Sequence, residues 1–338
     1  MPLLMSQVVG FAGDTSIDGA RQKRLSSVAL AKAGTQTEDV CMLALATSGA
    51  AQGIRTNGAP TANFNGCNVM SNTSAQCNGS NLNASYGFAH GTSDNCGVTP
   101  VSNVPAITDP YSYLAKNIPP KGSSGCTSYP QETKKGNAYS VDEKNQLSGT
   151  LSLSGGNNFK CGDQMLTSDV VIDTPIGSPA VLFIENGQLD LNGHTLRTSA
   201  GSEVAVVFTG DNGTYTHAPR DNTNGSGGRL DIAAPTSGPW SGVALYQDPS
   251  LTTGVDVYDA GNSPTWNITG LIYMPHASVT VKGAIDKSTA GKSCVVMVAD
   301  NFQISGTAGI LKTNIGQCPA AGLKMPTAII PSRAKLVL

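Results

Sequence analysis

The chain has 338 residues, of which 13% are charged and 5% aromatic, and a formal net charge of −2. So neutral a balance gives no electrostatic footprint for a nucleic-acid partner. Abundant Val, Ile and Thr also argue against disorder, which combines few β-branched residues with high net charge. The hydrophobic share of 39% is mainly Val, Ile, Leu and Ala. It suffices for a thin aliphatic core, and an elongated repeat fold can use the whole length as one body.

Residues 1–12, MPLLMSQVVGFA, are apolar but interrupted by Ser6 and Gln7. They fall short of the ~20 residues that a spanning helix needs. No cation precedes them, which makes a poor signal peptide. The stretch reads as the tail end of a membrane segment whose upstream half is missing. Residues 14–34 read as a short N-terminal α-helix. Asp14 or Ser16 caps it, Leu25, Val28, Ala29 and Ala33 give a partial apolar stripe, and Gly34 ends it. Residues 1–38 are therefore assigned to this helix as the remnant of a membrane anchor.

After Gly34 short apolar runs alternate with Gly, Asn, Ser and Asp turns. The runs include CMLALA at 41–46, AVLFIENGQLDLNGHTL at 180–196, EVAVVFT at 203–209, TWNITGLIYMP at 265–275 and CVVMVAD at 294–300. Period-2 alternation in Leu189 and Leu191, Val279 and Val281, and Phe302 and Ile304 marks strands with one buried face. Residues 39–318 form a β-rich body. Within it 97–146 is a Pro- and Lys-bearing insertion or long loop, with a turn at Tyr111–Lys116. Residues 210–228 are a second loop, and 319–338 a C-terminal tail. Strands of four to seven residues that recur about every 10–20 residues and end in Asn-Gly or Ser-Gly suit a β-solenoid, a right-handed parallel β-helix whose coils bury their inner side chains by stacking. An antiparallel β-sandwich is the alternative.

The eight cysteines lack a CxxC spacing and only four histidines occur, so disulfides in an oxidising compartment are expected rather than a metal site. Spacing does not fix the pairing. Cys294 with Cys318 and Cys126 with Cys161 would each close a loop within one region.

No GxSxG, HExxH or P-loop motif occurs. Asp190, Asp231, Arg229 and His194 are the residues a polysaccharide-cleaving site would draw on. Alternation places Asp190 and His194, and Arg229 and Asp231, outward on a solvated face, and no spacing signals the paired carboxylates of a glycosidase. Asp211, Asn212, Asp221, Asn222 and Asn224 could offer oxygen ligands to calcium, but without EF-hand spacing they read as a solvated turn. Trp240, between Pro239 and Gly242, reads as a packing residue. The chain is accordingly expected to be no enzyme, with no catalytic residue, metal or cofactor.

Several stretches resemble the TadG-like proteins of bacterial Flp (tight-adherence) pilus systems, in the version with a repetitive β-rich C-terminal region. These are Gly10-Phe-Ala-Gly-Asp14, Cys41-Met-Leu-Ala-Leu45, Asn65-Gly-Cys67-Asn-Val69 with Asn72, and Ala234-Pro-Thr-Ser-Gly-Pro239 followed by Gly242 and Tyr246-Gln-Asp-Pro249. Gly270-Leu-Ile-Tyr-Met-Pro275, Cys294-Val-Val-Met-Val-Ala-Asp300 and Ile304-Ser-Gly306 complete them. The resemblance implies inner-membrane anchoring through the N-terminal helix, a periplasmic or extracellular body, and a structural part in pilus assembly with other envelope proteins. The von Willebrand A domain of some relatives has no counterpart here. A carbohydrate-active β-helix enzyme (lyase or glycoside hydrolase) and a carbohydrate-binding adhesive module are the competing functions.

Overall fold

The computed structural model describes residues 15–17, 20–22, 30–32 and 35–337 apart from 49–51, 59, 63, 65, 214–215, 222–226, 252–254, 258–264, 283, 287–290, 307–308, 311–313 and 332–334. The chain divides into two compact units, Met1–Gln36 with Pro331–Leu338, and Thr37–Ile330.

In the first unit Thr15–Ile17 pairs antiparallel with Ala20–Gln22, and Leu30–Lys32 with Lys335–Val337. These described residues are strands, which corrects the helix expected over 14–34. β-Branched Thr15 and Ile17 lower helix propensity, and Asp18-Gly19 is a favoured two-residue hairpin sequence. Asp14, Leu25, Val28, Ala29, Ala33 and residues 1–12 lie outside the described residues. Among the described residues no helix is long and apolar enough to cross a membrane.

The second unit is mainly β. Every described pairing in its large sheet is parallel, so the antiparallel sandwich does not describe it; the stacking is consistent with a β-solenoid. Two long files of strands carry it. One contains Gln146–Ser152, Gln164–Asp173, Thr195–Thr198, Arg229–Ala233, the start of Thr265–Val281 and Ala284–Asp286. The other runs Gly156–Cys161, Ala180–Glu185, Val204–Thr209, Val243–Gln247, Thr265–Val281 and Val295–Gly306.

The second file then continues with the beginning of the chain. Val295–Gly306 pairs with Thr35–Ala44 and Ile54–Gly58. Asn68–Ser71, Tyr86–Ala89 and Thr99–Val101 follow in turn. Spatial order is therefore 146–310, then 37–101. Inside the stack Leu182, Val206, Leu245, Ile272, Met297, Met42 and Val69 form one apolar column in register. Burial of such a side chain contributes roughly 1.5–3 kcal/mol, and a parallel register repeats that gain at every coil.

A second column lies on the outer face of the same file. Phe183, Val207, Tyr246, Tyr273, Val298, Leu43, Met70 and Phe88 align there and are all buried. Within the segment expected as an insertion, 97–146, Thr99–Val101 and Gln146 belong to the stack, and the residues between them run across this face as a strap. It starts beside the Thr99–Val101 end and finishes at the Gly156–Cys161 end. The Val104 N–H donates to the Ala89 carbonyl (3.0 Å), and the Asn72 amide brackets the Ile107 backbone with two 2.8 Å bonds. Farther along, the Tyr273 hydroxyl donates to Asp109 (2.6 Å) and the Tyr111 hydroxyl to the Lys324 carbonyl (2.5 Å). Asn117 then donates to Pro239 O (2.8 Å). Val104, Tyr111 and Leu114 bury their side chains against the column. The expected turn at Tyr111–Lys116 is a 3-10 helix, Ser112–Asn117.

Four disulfides join all eight cysteines: Cys41–Cys67, Cys77–Cys96, Cys126–Cys161 and Cys294–Cys318. The two pairs expected from sequence are both present. Cys126–Cys161 clips the strap to the end of the stack.

Candidate functional site

The strap ends over a corner where Gln164 and Met165 stack on Leu189 and Asp190, which stack on Pro219 and Arg220. Glu132 of the strap meets Asp163, Gln188, Asp190 and Arg220 here. The Asp163 carboxylate accepts the backbone N–H groups of Glu132 (2.7 Å) and Gln188 (3.0 Å). The Gln188 amide donates to Glu132 Oε2 (3.1 Å), and Arg220 donates to Gln188 Oε1 (2.8 Å). The guanidinium of Arg220 also lies 5.9 Å from the centre of the Tyr139 ring.

Burial pushes the Glu132 carboxyl up to about 8, helped by its hydrogen bond to Asp190 and by that group's charge; Arg220 opposes the shift. Two carboxyl groups in contact out of water share one proton, because both cannot ionise cheaply. Burial also raises Asp163, against the two backbone donors that favour its ionised form. At neutral pH Glu132 is thus a protonated acid beside Asp190.

Sequence reasoning put Asp190 and Asp231 on a solvated face, and the structure corrects both. Asp190 is 1% exposed and Asp231 3%. The strap covers the first, and its carboxylate caps the following turn by accepting Asn192 N–H (2.9 Å). Arg229 shields the second, 3.4 Å away, and also donates to the Asn267 amide oxygen. His194 stands apart at a half-exposed turn, 3.9 Å from Asp169. Glu132, Asp163 and Arg220 were missed. They come from three separate segments, the strap, the connection before Gln164 and the short strand Pro219–Arg220, and no spacing in the sequence links them.

Several cavities flank the strap, among them two with charged lining. One of about 160 Å³ is lined by Lys121, Phe159, Glu185, Thr209, Asp211 and Asp248. Lys121 pairs there with Asp211 and holds that carboxyl below the usual range. Tyr129 donates to Glu185 (2.6 Å) beside it, and this bond pushes the phenol up to about 12. Another, of about 460 Å³, has Asn72, Asp109, His276 and Asp300 among its lining groups.

Of the loop residues considered for calcium, Asp211 bonds Lys121 and Asn186. Asp221 accepts backbone N–H groups of Gly193 and Gly228. Asn222 and Asn224 lie outside the described residues. Among the described residues no group of three or more His, Cys, Asp or Glu is arranged to hold a metal ion. Trp240 is buried edge-on between Phe183 and Tyr246.

No family model, curated protein or solved structure matches the chain.

Proposed function

We propose that the chain is a non-catalytic structural component of the bacterial envelope, a TadG-like part of a Flp-type pilus system whose body is a right-handed parallel β-helix. It is anchored in the inner membrane by its N-terminal region and carries its body in the periplasm or outside the cell. The observation that carries this reading is how the polar side chains are used. Under the strap, Asp163 accepts two backbone N–H groups, and the buried Asp190 accepts one while its carboxyl bonds Glu132. The sheet face that could have formed a groove is filled by the strap itself. Four disulfides suit an oxidising compartment.

The test is genetic. Deleting the gene should abolish surface piliation, and a Cys126→Ala/Cys161→Ala copy should restore it less well than wild type. Full piliation without the gene would refute the reading.

A second reading, a carbohydrate-active enzyme, draws on the protonated Glu132 beside Asp190. Glycosidases work with paired carboxyl groups, one of them raised by burial to act as the general acid. Polysaccharide hydrolysis by the purified chain that disappears in both Glu132→Gln and Asp190→Asn would favour it over the structural role.

A further inference from the structure

The stack contains a seam. Residues 297–299 pair with 42–44, and 302–306 with 54–58, so strands from opposite ends of the sequence lie side by side. Backbone bonds add to it: Leu45 N–H to Ala299 O (2.8 Å), Ala46 N–H to Asp300 O (2.9 Å) and Phe302 N–H to Gly53 O (2.7 Å). Met297, Ala299 and Phe302 meet Met42, Ala44 and Ile54 across it inside one continuous core.

No disulfide crosses this seam. Cys41–Cys67 and Cys77–Cys96 close within the early coils, while Cys126–Cys161 and Cys294–Cys318 close within the remainder. All eight cysteines are used, so this division is complete. Residues 37–107 are therefore a module stapled to itself. The strap changes allegiance abruptly. Ile107 is held by Asn72 of the module, and Asp109 is held by Tyr273 of the body. Thr108 alone separates the two attachments.

We propose that this module is exchanged between copies of the chain, residues 37–107 of one copy seating on Val295–Gly306 of a second, with Ile107–Asp109 as the hinge. The seated contacts are the same in either arrangement, so only the hinge conformation and the cost of association distinguish them. A connection of one residue between two fixed points favours exchange, because it can straighten between copies but has little freedom to relax within one. The surface exposed by an opened seam is an aliphatic column flanked by unpaired backbone groups in parallel register. An identical module satisfies both requirements at once. Reciprocal seating closes a two-fold dimer, and one-way seating propagates a chain of bodies. The proposal stands whether or not the protein serves a pilus.

Arg55 and Gln303 are exposed register neighbours across the seam and allow a test on the full chain. Arg55→Cys and Gln303→Cys variants are unfolded, mixed and refolded together at high concentration in a redox buffer. The mixture is expected to give a disulfide-linked dimer of one variant with the other that neither variant gives alone. Light scattering should find twice the single-chain mass, in a share that rises with refolding concentration. Inserting three glycines after Thr108 should reduce that share severalfold. The proposal is overturned if the Arg55→Cys/Gln303→Cys double variant closes its bond within one chain while the mixture stays unlinked. A single-chain mass at every refolding concentration overturns it too, whatever the double variant does.

Discussion

The two files of strands share one register rule but differ in what covers them. In the strapped file, Ala180–Glu185 and Val204–Thr209 are buried at every position. In the open file, Gln146–Ser152 exposes most of its residues and Thr195–Thr198 alternates. Their sequences differ to match: AVLFIE and VAVVFT are continuous apolar runs, whereas LSGTLS and TLRT interleave polar residues. A parallel strand buried on both faces needs no alternation. The contrast teaches that the strap is part of the core, since without it an apolar column of Phe, Tyr, Leu and Met would face water.

Substitutions can sharpen this comparison. Phe183→Ala, which truncates a ring stacked on Phe159 and touching Trp240, should cost about 3–5 kcal/mol in denaturant unfolding. Arg197→Ala on the open file should cost under ~0.5 kcal/mol. Equal costs would break the distinction between the files. Loss of Cys126–Cys161, which spans 35 residues, should remove roughly 3–4 kcal/mol and admit protease to the strap before the stack unfolds. Simultaneous loss of both would mean that strap and stack are one cooperative unit.

Next in size is a pH effect. The Glu132 carboxyl is raised from 4.5 to about 8, so the folded chain holds a proton that the unfolded chain has released. Its contribution is fully present below pH 4.5 and is lost as pH rises through about 8. The slope is at most about 1.4 kcal/mol per pH unit for one proton, less here because Glu132 is partly exposed. Glu132→Gln should flatten that slope in thermal melts between these limits, and an unchanged slope would remove the shared proton. Within the strap, the smallest effect is that of Tyr111→Phe, which deletes the bond to Lys324 O and should cost ~1 kcal/mol. An unaltered stability would place that part of the strap outside the folding unit.

Much of the sheet was legible because strands announce themselves locally. Leu189 and Leu191 are both fully buried, as their alternation required, and so is Ile304, with Phe302 at 2%. Cys294 and Cys318 sit close in sequence at one edge, and their bond followed from proximity. The seam was illegible for the opposite reason. Nothing in CMLALA says that its neighbour is VVMVAD at the far end of the chain, because parallel pairing needs only two apolar strands of equal length. The burial of Asp190 was missed on the same ground: its cover, Glu132, arrives from a segment with no period of its own. At the N-terminus a partial apolar stripe of Leu25, Val28, Ala29 and Ala33 suggested helix, while the described strands beside it follow from Thr15 and Ile17.

The permuted order of coils has a consequence for biogenesis. A polypeptide is made from its amino end, so residues 37–101 emerge well before their seat, Val295–Gly306. Until then the early coils carry a bare edge at 42–44 and 54–58, which a chaperone would have to shield and which quality-control proteases would find on any product stalled before residue 295. Closure of that edge thereby reports that synthesis has passed residue 306.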